Sequence, residues 1–599
     1  MTTIALAAAA AFLLSALLTV LCRTIALRTG IIAMPKADRW AARPVALLGG
    51  PAIVTATALT LGLVDRLPFT VWVLLAGAIA MAIVGLVDDV RPASPAAKLT
   101  SQVVAAAAVT GAGLQFPLTG IAVIDIPVTM FWIVGLTNAF NLLDNMDGLA
   151  AGIAAIAGSV KVALFILDGE MAAAAAAAVF VGACLGFLIH NLVPQRIFMG
   201  DSGSLFLGFF VAGLSTVGAD PASRATVSVL IVPVVILLVP IFDTVLVTAA
   251  RVLTGRSVSQ GGRDHTSHRL VMAGLSERSA VVSLYALAAL SGVAAVATRG
   301  MGFYAGLVLL LTLGLAVLII GVSLSRIAVY APDSDRPAPG LWLRVLPGAG
   351  YLRNAANAGI NALLFFVAFY TAHAFTLGTP GLPDNPAFLA ALPIAFGAKM
   401  LMLGAFGTYR SVWRYTDSRD LAALVGASTA GSASAIVVLL FADQFTAGQR
   451  AIFVLDWILF TALLAASRLS LRALSEMLRP RPASGIRVLI YGAGDAGVSL
   501  LQELRRNARY GRTVVAFADD DPMKQRTRVQ GLPVLGGLTS LSDAVGQRDV
   551  QEVILAVGDA PDALVAGIRS RCAEAGVPVS RFDIGVSAAG VEPRFDRVT

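Results

Sequence analysis

Four clusters of polar side chains interrupt a chain otherwise dominated by Ala, Val, Leu and Ile. The segment "GLVDDVRPASPAAKLTSQ" carries Asp88, Asp89, Lys98 and Gln102, and "NAFNLLDNMDGLA", residues 138–150, carries Asn138, Asn141, Asp144 and Asp147. Further on, "HNLVPQRIFMGDSGSLFLG" carries Asn191, Asp201, Ser202 and Ser204, and "GRDHTSHRL" carries Arg263, Asp264, His265, His268 and Arg269. A single acidic residue at a membrane surface usually caps a helix or pairs with Lys or Arg. Four such clusters on one side of a membrane need more than that. Adjacent carboxylates repel unless a cation neutralises them, and oxygen ligands beside Lys and His suit Mg²⁺ holding a phosphate or pyrophosphate better than they suit zinc. The chemistry these residues imply is phosphoryl transfer. Read as helix, Asn138 and Asn141, Asn141 and Asp144, and Asp144 and Asp147 are each three apart and share a flank, so this stretch is expected to wall a cytoplasmic cavity. Gly148 and Gly152 would let a neighbouring helix come close.

The elements that must hold these residues are membrane helices. Of 599 residues, 57% are hydrophobic and 13% charged, with a mean hydropathy of +0.82, whereas an ordinary soluble domain has roughly 25% charged residues. Apolar runs near the ~20 residues of a bilayer span recur over 4–21, 171–189, 229–249, 303–322, 356–370 and 451–466. About fifteen spans are expected in all. The first run has no basic residue before it and Arg23 and Arg28 after it, the order for an uncleaved anchor rather than a signal peptide. The net charge of +8 does not point to nucleic acid, because the basic residues sit in short loops. Arg23, Arg28, Lys36, Arg39 and Arg43 make one loop, Arg251, Arg256, Arg263 and Arg269 another, and Arg410, Arg414 and Arg419 a third. Positive-inside topology makes these loops, and with them the four clusters, cytoplasmic. Cys22, Cys184 and Cys572 have no paired spacing.

The expected organisation is a polytopic membrane domain over 1–325, a Pro- and Gly-containing linker over 326–354, a second membrane block of about four helices over 355–470, and a cytoplasmic α/β Rossmann-like domain over 484–599. In the last, "RVLIYGAG", "TVVAFADD" and "EVILAVGD" alternate with helical stretches. Gly492, Gly494 and Gly497 follow a β-run and open a helix, with Asp519 some twenty residues on, the plan of a dinucleotide site for NAD or a nucleotide sugar.

The order of "DD" with downstream Lys98 and Gln102, then "NAFNLLDNMDGLAAG", "IFMGDSGSLFLG", "PIFDT" and a His-containing loop resembles the polyprenyl-phosphate N-acetylhexosamine-1-phosphate transferases over about 1–325, as does "RPVALLGGPAI" at 43–53. That resemblance implies a bacterial inner-membrane enzyme of glycan assembly. Its substrates would be a UDP-N-acetylhexosamine and a polyprenyl phosphate, with UMP released and Mg²⁺, or Mn²⁺ as the alternative, required. On these grounds Asp201 is the leading Mg²⁺ ligand with Asp89 assisting, and Asp88 either activates the lipid phosphate or acts as nucleophile. Lys98 offsets pyrophosphate charge, and Asn138, Asn141, Asp144, Asp147 and Asn191 face the substrate. His265 and His268, with Arg263 and Arg269, match the family's His loop, except that its common "HxHHRL" reads "HTSHRL" here, with Ser267 in the middle. The departure bears on the choice of donor sugar. A homodimer is compatible with the chain.

A second resemblance covers about 355–585. "GTYRSVWRYTDSRDL", "SRLSLRAL" and the glycine-rich segment are similar to the N-terminal part of membrane-anchored nucleotide-sugar 4,6-dehydratases, whose Tyr and Lys catalytic pair has no counterpart before Thr599. No dehydratase activity is implied. Many spans plus a Rossmann-like domain is also the plan of a nucleotide-gated channel or a transporter, and "STVGAD" at 215–220 is part of a filter-like sequence. The Tyr-Gly that should follow is missing, and the carboxylates gather at one face rather than at mid-membrane.

Overall fold

The computed structural model describes residues 1–33, 44–192, 196–217, 226–253, 256, 262–298, 303–325, 349–377, 386–409, 418–442, 449–477, 485–506, 510–525, 527–557, 561–587 and 590–597. Lys36, Arg39, Arg43, Arg224, Arg299, Arg410, Arg414, residues 218–220 of "STVGAD" and most of the expected linker lie outside the described residues. The chain divides into two units, Met1–Leu478 and Arg479–Thr599.

The first unit is helical: α1 (Thr2–Thr29), α2 (Gly49–Leu61), α3 (Phe69–Val90), α4 (Pro95–Gly111), α5 (Ala122–Leu143), α6 (Leu149–Leu167), α7 (Met171–Asn191), α8 (Gly200–Leu214), α9 (Thr226–Ile236), α10 (Leu238–Leu253), α11 (Thr266–Met272), α12 (Glu277–Ala297) and α13 (Phe303–Ser325). α14 (Ala349–Leu377), α15 (Pro386–Ala405), α16 (Ser418–Phe441) and α17 (Gln449–Met477) follow. Ten helices among the described residues are long and apolar enough to cross a bilayer, against the fifteen or so expected. Gly49–Leu61 and Gly200–Leu214 are apolar but have only 13 and 15 residues, short of the ~20 that a span needs.

Packing follows the small residues. α1 lies along α7, where a Cβ at Gly182 would overlap the Ala8 carbonyl and one at Gly186 that of Phe12, so both positions need a bare backbone. Phe180, Phe206 and Phe210 stack between α7 and α8, with Phe180 and Phe210 centroids 4.8 Å apart. Lys161, unassigned from sequence, is buried in α6 with Nζ 4.4 Å from the Phe165 ring centroid. Helices α14 to α17 enclose a separate apolar core around Phe365, Phe369, Phe453 and Phe460. Within it Lys399 Nζ meets Asp456 Oδ2 at 2.5 Å, both side chains fully buried.

The first unit also holds a short antiparallel pair, β1 (Ile32–Ala33) and β2 (Val45–Ala46). The second unit is α/β: β3 (Ile486–Tyr491), α18 (Asp495–Arg506), β4 (Arg512–Ala518), α19 (Leu541–Gln547), β7 (Glu552–Leu555), α20 (Asp562–Glu574), β8 (Val579–Ser587) and β9 (Gly590–Arg597), with the short pair β5 (Arg528–Val529) and β6 (Leu532–Pro533) after β4. The sheet order is β4-β3-β7-β8-β9. The first four strands are parallel and β9 runs antiparallel to β8. The helical connections between parallel strands are what the alternation in the sequence requires.

Candidate active site

The end of α3 meets the start of α8. Lys98 Nζ, on α4, bridges two carboxylates, forming an ion pair with Asp88 Oδ2 and another with Asp201 Oδ2 at 2.6 Å. Lys98 is held there because Ser94 caps α4, its hydroxyl accepting from Ala97 N, with Pro95 at the first helical position. Asp88 Oδ1 also accepts from Ala93 N at 2.6 Å. Asp89 has a different task from its neighbour. Its Oδ1 accepts the N–H of Asp201 at 2.9 Å and its Oδ2 that of Ser202 at 3.1 Å. The first N–H groups of a helix have no partner inside it, so Asp89 caps α8 from another helix. The close approach needs glycine. A Cβ at Gly200, where φ is +70°, would overlap the Asp89 carboxylate, and one at Gly85 would overlap the backbone of Asp201.

The segment expected as one helical flank splits in two. α5 ends at Leu143, and the chain turns through residues 144–148 with Gly148 at φ +75° before α6 begins. Asn138 and Asn141 are therefore helical, while Asp144 and Asp147 sit in the turn. Spacing by three is common to a helix flank and a tight turn, and the left-handed glycine decides between them. Asn138 and Gln102 exchange amide hydrogen bonds of 2.6 and 3.3 Å, and Asn141 donates to Ser204 Oγ at 2.9 Å, one turn beyond Asp201. Asn191 ties the turn down, accepting from Gly148 N and donating to Ile197 O, both at 2.9 Å. Tyr285 of α12 donates to Gly148 O at 2.6 Å. Asp144, Asn145, Asp147, Asn191, Glu277 and Tyr285 line a cavity of about 310 Å³ that Gly200 also borders. Burial, reinforced by the negative charge of Glu277, pushes the Asp147 carboxyl up to about 7.

The His loop is fastened to α10 at two points. Asp243 Oδ2 lies 2.8 Å from His265 Nδ1 and Asp243 Oδ1 accepts from Thr266 N at 2.6 Å. Arg251 grips Asp264 with two hydrogen bonds of 2.7 and 2.8 Å. Burial pushes the Asp264 carboxyl up, but the Arg251 guanidinium outweighs it and holds the group below its usual range. Arg269 donates to the carbonyls of Asp264 and Leu324, at 2.8 and 3.0 Å, so it braces the loop against α13. Burial, then the neighbouring His265 and Arg263, pushes His268 down to about 4. Ser267 Oγ donates to Asn145 Oδ1 at 2.6 Å, which ties the loop to the turn after α5. Asp243, Asn145, Glu277, Arg278 and Tyr285 join the site without having been singled out. "PIFDT" is a signal for Asp243, whereas Glu277 and Arg278 read as the ordinary charged first turn of α12 and Tyr285 as one more residue of its apolar run.

In the α/β unit, Gly492 has φ +110°, and a Cβ at Gly497 would overlap the Gly492 carbonyl. At Gly494 a Cβ would meet nothing nearer than Lys524 Nζ at 4.0 Å. Asp519 accepts from Ala493 N at 2.7 Å and from Lys524 Nζ at 3.2 Å. Burial pushes its carboxyl up, but these donors and Asp521 N hold it below the usual range.

Comparisons with known proteins place both halves. Residues 71–219 match the glycosyl transferase family 4 model, and residues 404–579 match a CoA-binding domain. Over 316 residues the chain is 30% identical to a probable undecaprenyl-phosphate N-acetylglucosaminyl 1-phosphate transferase of Bacillus subtilis, covering 51% of this chain and 87% of that protein. It is 32% identical over 302 residues to the decaprenyl-phosphate N-acetylglucosaminephosphotransferase of Mycolicibacterium smegmatis, covering 44% and 74%. A phospho-N-acetylmuramoyl-pentapeptide-transferase of Clostridioides difficile is 43% identical over 128 residues, 20% of this chain and 37% of that one. The apolar helices, the carboxylates gathered around Lys98 and this coverage agree: the chain is an integral membrane enzyme of glycosyl transferase family 4, the polyprenyl-phosphate N-acetylhexosamine-1-phosphate transferases.

Proposed function

We propose that the chain transfers an N-acetylhexosamine-1-phosphate from a UDP-linked sugar to undecaprenyl phosphate, releases UMP, and so begins a cell-surface glycan on the cytoplasmic side of a bacterial inner membrane. The observation that carries this reading is Lys98 set between Asp88 and Asp201, beside the cavity that holds Asp144 and Asp147. An oxygen of the lipid phosphate attacks the β-phosphorus of the donor. A new P–O–P bond forms, the bond from the β-phosphorus to the α–β bridging oxygen breaks, and that oxygen leaves with UMP. Asp88 takes the acceptor's proton, Lys98 offsets the charge of the pyrophosphate, and Asn141, Asp144 and Asp147 hold the nucleotide side. His265 and His268, with Arg263 and Arg269, form the loop that faces the phosphates.

The donor set fits Mg²⁺. Among the described residues no three His, Cys, Asp or Glu meet as a ready-made cage, and Mg²⁺ needs none, since it binds through one or two carboxylates plus substrate phosphates and keeps several waters. Asp201 would hold it, with substrate phosphates and waters completing the shell. When bound it neutralises charge on the transferring phosphoryl group. Asp89 is better used as the cap that aims Asp201 than as a further ligand, because both its oxygens are engaged by backbone N–H groups. The test is a screen of UDP-amino sugars with purified full chain, undecaprenyl phosphate and Mg²⁺, following UMP. One donor should stand out, and no UMP from any of them would overturn the reading.

A further inference from the structure

Asp243 lies in an apolar run of α10, only 1% exposed, and touches the His loop with both carboxylate oxygens. A buried carboxylate is costly unless its partners need it. One partner, Thr266 N, is the first N–H of α11 and explains Oδ1 as a cap. The other is a ring nitrogen, and a carboxylate can only accept there, so the hydrogen on that bond belongs to His265 Nδ1. Among the described residues, the other charged groups of the loop have contacts of their own. Asp264 is gripped by Arg251, Arg269 turns to two backbone carbonyls, and the His268 ring lies 6.3 Å away, centroid to centroid, with Arg263 near it.

Resting on the transferase reading above, we infer that Asp243 is a positioning residue: it fixes the His265 ring with Nδ1–H toward the carboxylate, so that Nε2 is the atom offered to the donor's pyrophosphate. The second clamp, Arg251 on Asp264 about two turns further along α10, keeps the loop from swinging the ring away. His265 then meets the substrate in one tautomer and one orientation.

Asp243→Asn tests this on the full chain. The amide oxygen of Asn can still accept from Thr266 N, but its NH₂ then faces His265 Nδ1 and forces the proton onto Nε2. With the loop anchor kept and the tautomer reversed, kcat should fall at least tenfold while KM for the UDP-sugar changes less than about threefold. Thr266→Pro is the companion variant. It removes both Thr266 donors to Asp243, the N–H and the hydroxyl, and leaves the His265 pair, at a first helical position where Pro is tolerated, and His265 already has the extended backbone, φ −67° and ψ 157°, that precedes Pro. It should keep most of kcat. A spectroscopic readout on the wild-type chain stands even if Asp243→Asn does not assemble. With only four histidines, ¹⁵N-histidine labelling plus a His265→Gln spectrum assigns the His265 ring, expected as the Nδ1–H form. Unchanged kcat in a folded Asp243→Asn, an equal loss in Thr266→Pro, or an Nε2–H ring would each overturn the inference. A wild-type chain that forms no UMP would instead sink the transferase reading.

Discussion

Asp89 Oδ1 accepts the backbone N–H of Asp201 at 2.9 Å, joining the last turn of α3 to the first turn of α8 across 112 residues. Two adjacent carboxylates thus do separate work: Asp88 pairs with Lys98, and Asp89 fixes where Asp201 stands. Asp89→Ala should leave two part-buried N–H groups without their acceptor, at a cost of about 1–3 kcal/mol each before any relaxation. A thermal unfolding midpoint several degrees lower in detergent is expected. An unchanged midpoint would mean that water replaces the carboxylate at little cost.

Asp201→Asn and Asp88→Asn should separate the two carboxylates that share Lys98. Both should lower turnover by on the order of 10²-fold or more. Raising Mg²⁺ should recover part of the loss in Asp201→Asn, by mass action on a weakened ion, and none in Asp88→Asn if that group handles the acceptor's proton. Rescue of Asp88→Asn would make it a metal ligand instead.

Asp147→Asn carries a pH signature. The carboxyl is raised from the ordinary 3.8 to about 7 by burial and by Glu277. A raised acid makes the folded state hold a proton that the unfolded state has lost, so its cost to stability is absent below about pH 4, grows through the window to 7, and is constant above it. Asn removes that cost. The variant should match wild type near pH 4 and exceed it at pH 8, measured by unfolding midpoints, while nucleotide-dependent turnover falls. A stability gain that does not grow with pH would show that burial and Glu277 do not hold the Asp147 carboxyl up.

Gly494→Val and Gly497→Ala should fail in different ways. A Cβ at Gly497 collides with the Gly492 carbonyl, so that variant should lose the α/β fold, whereas Gly494 faces open space. We propose that this space admits the phosphates of a nucleotide-containing ligand at the start of α18. Calorimetric titration of the full chain with NAD, CoA, UDP and UDP-sugars should find binding that Gly494→Val abolishes without loss of fold. Equal binding by the variant, or none by wild type, would make the glycines a packing device.

Much of the candidate site was legible because its residue types are unusual in an apolar chain: Asp88, Lys98, Asn141 and Asp201 stand out by composition, and the fold brings Lys98 to Asp88 and Asp201 and Asn141 to Ser204. What was hidden depends on tertiary partners. Nothing local distinguishes Asp88 from Asp89, since only the position of the α8 N-terminus gives Asp89 its task. Asp243 matters through a loop 22 residues away. Asp144 and Asp147 were placed on a helix because spacing alone does not show that Gly148 turns left-handed. The number of spans is less legible, because short apolar helices such as Gly200–Leu214 have the composition of a span without its length.

The central claim is that a phosphoryl group travels with the sugar. A UDP-amino sugar labelled at its β-phosphate, incubated with the full chain, Mg²⁺ and undecaprenyl phosphate, measures that directly. Label should appear in the lipid phase in amounts equal to the unlabelled UMP formed. Label left in soluble UDP while the sugar alone reaches the lipid would contradict phosphoryl transfer, because the bond broken would then be the one between sugar and phosphate.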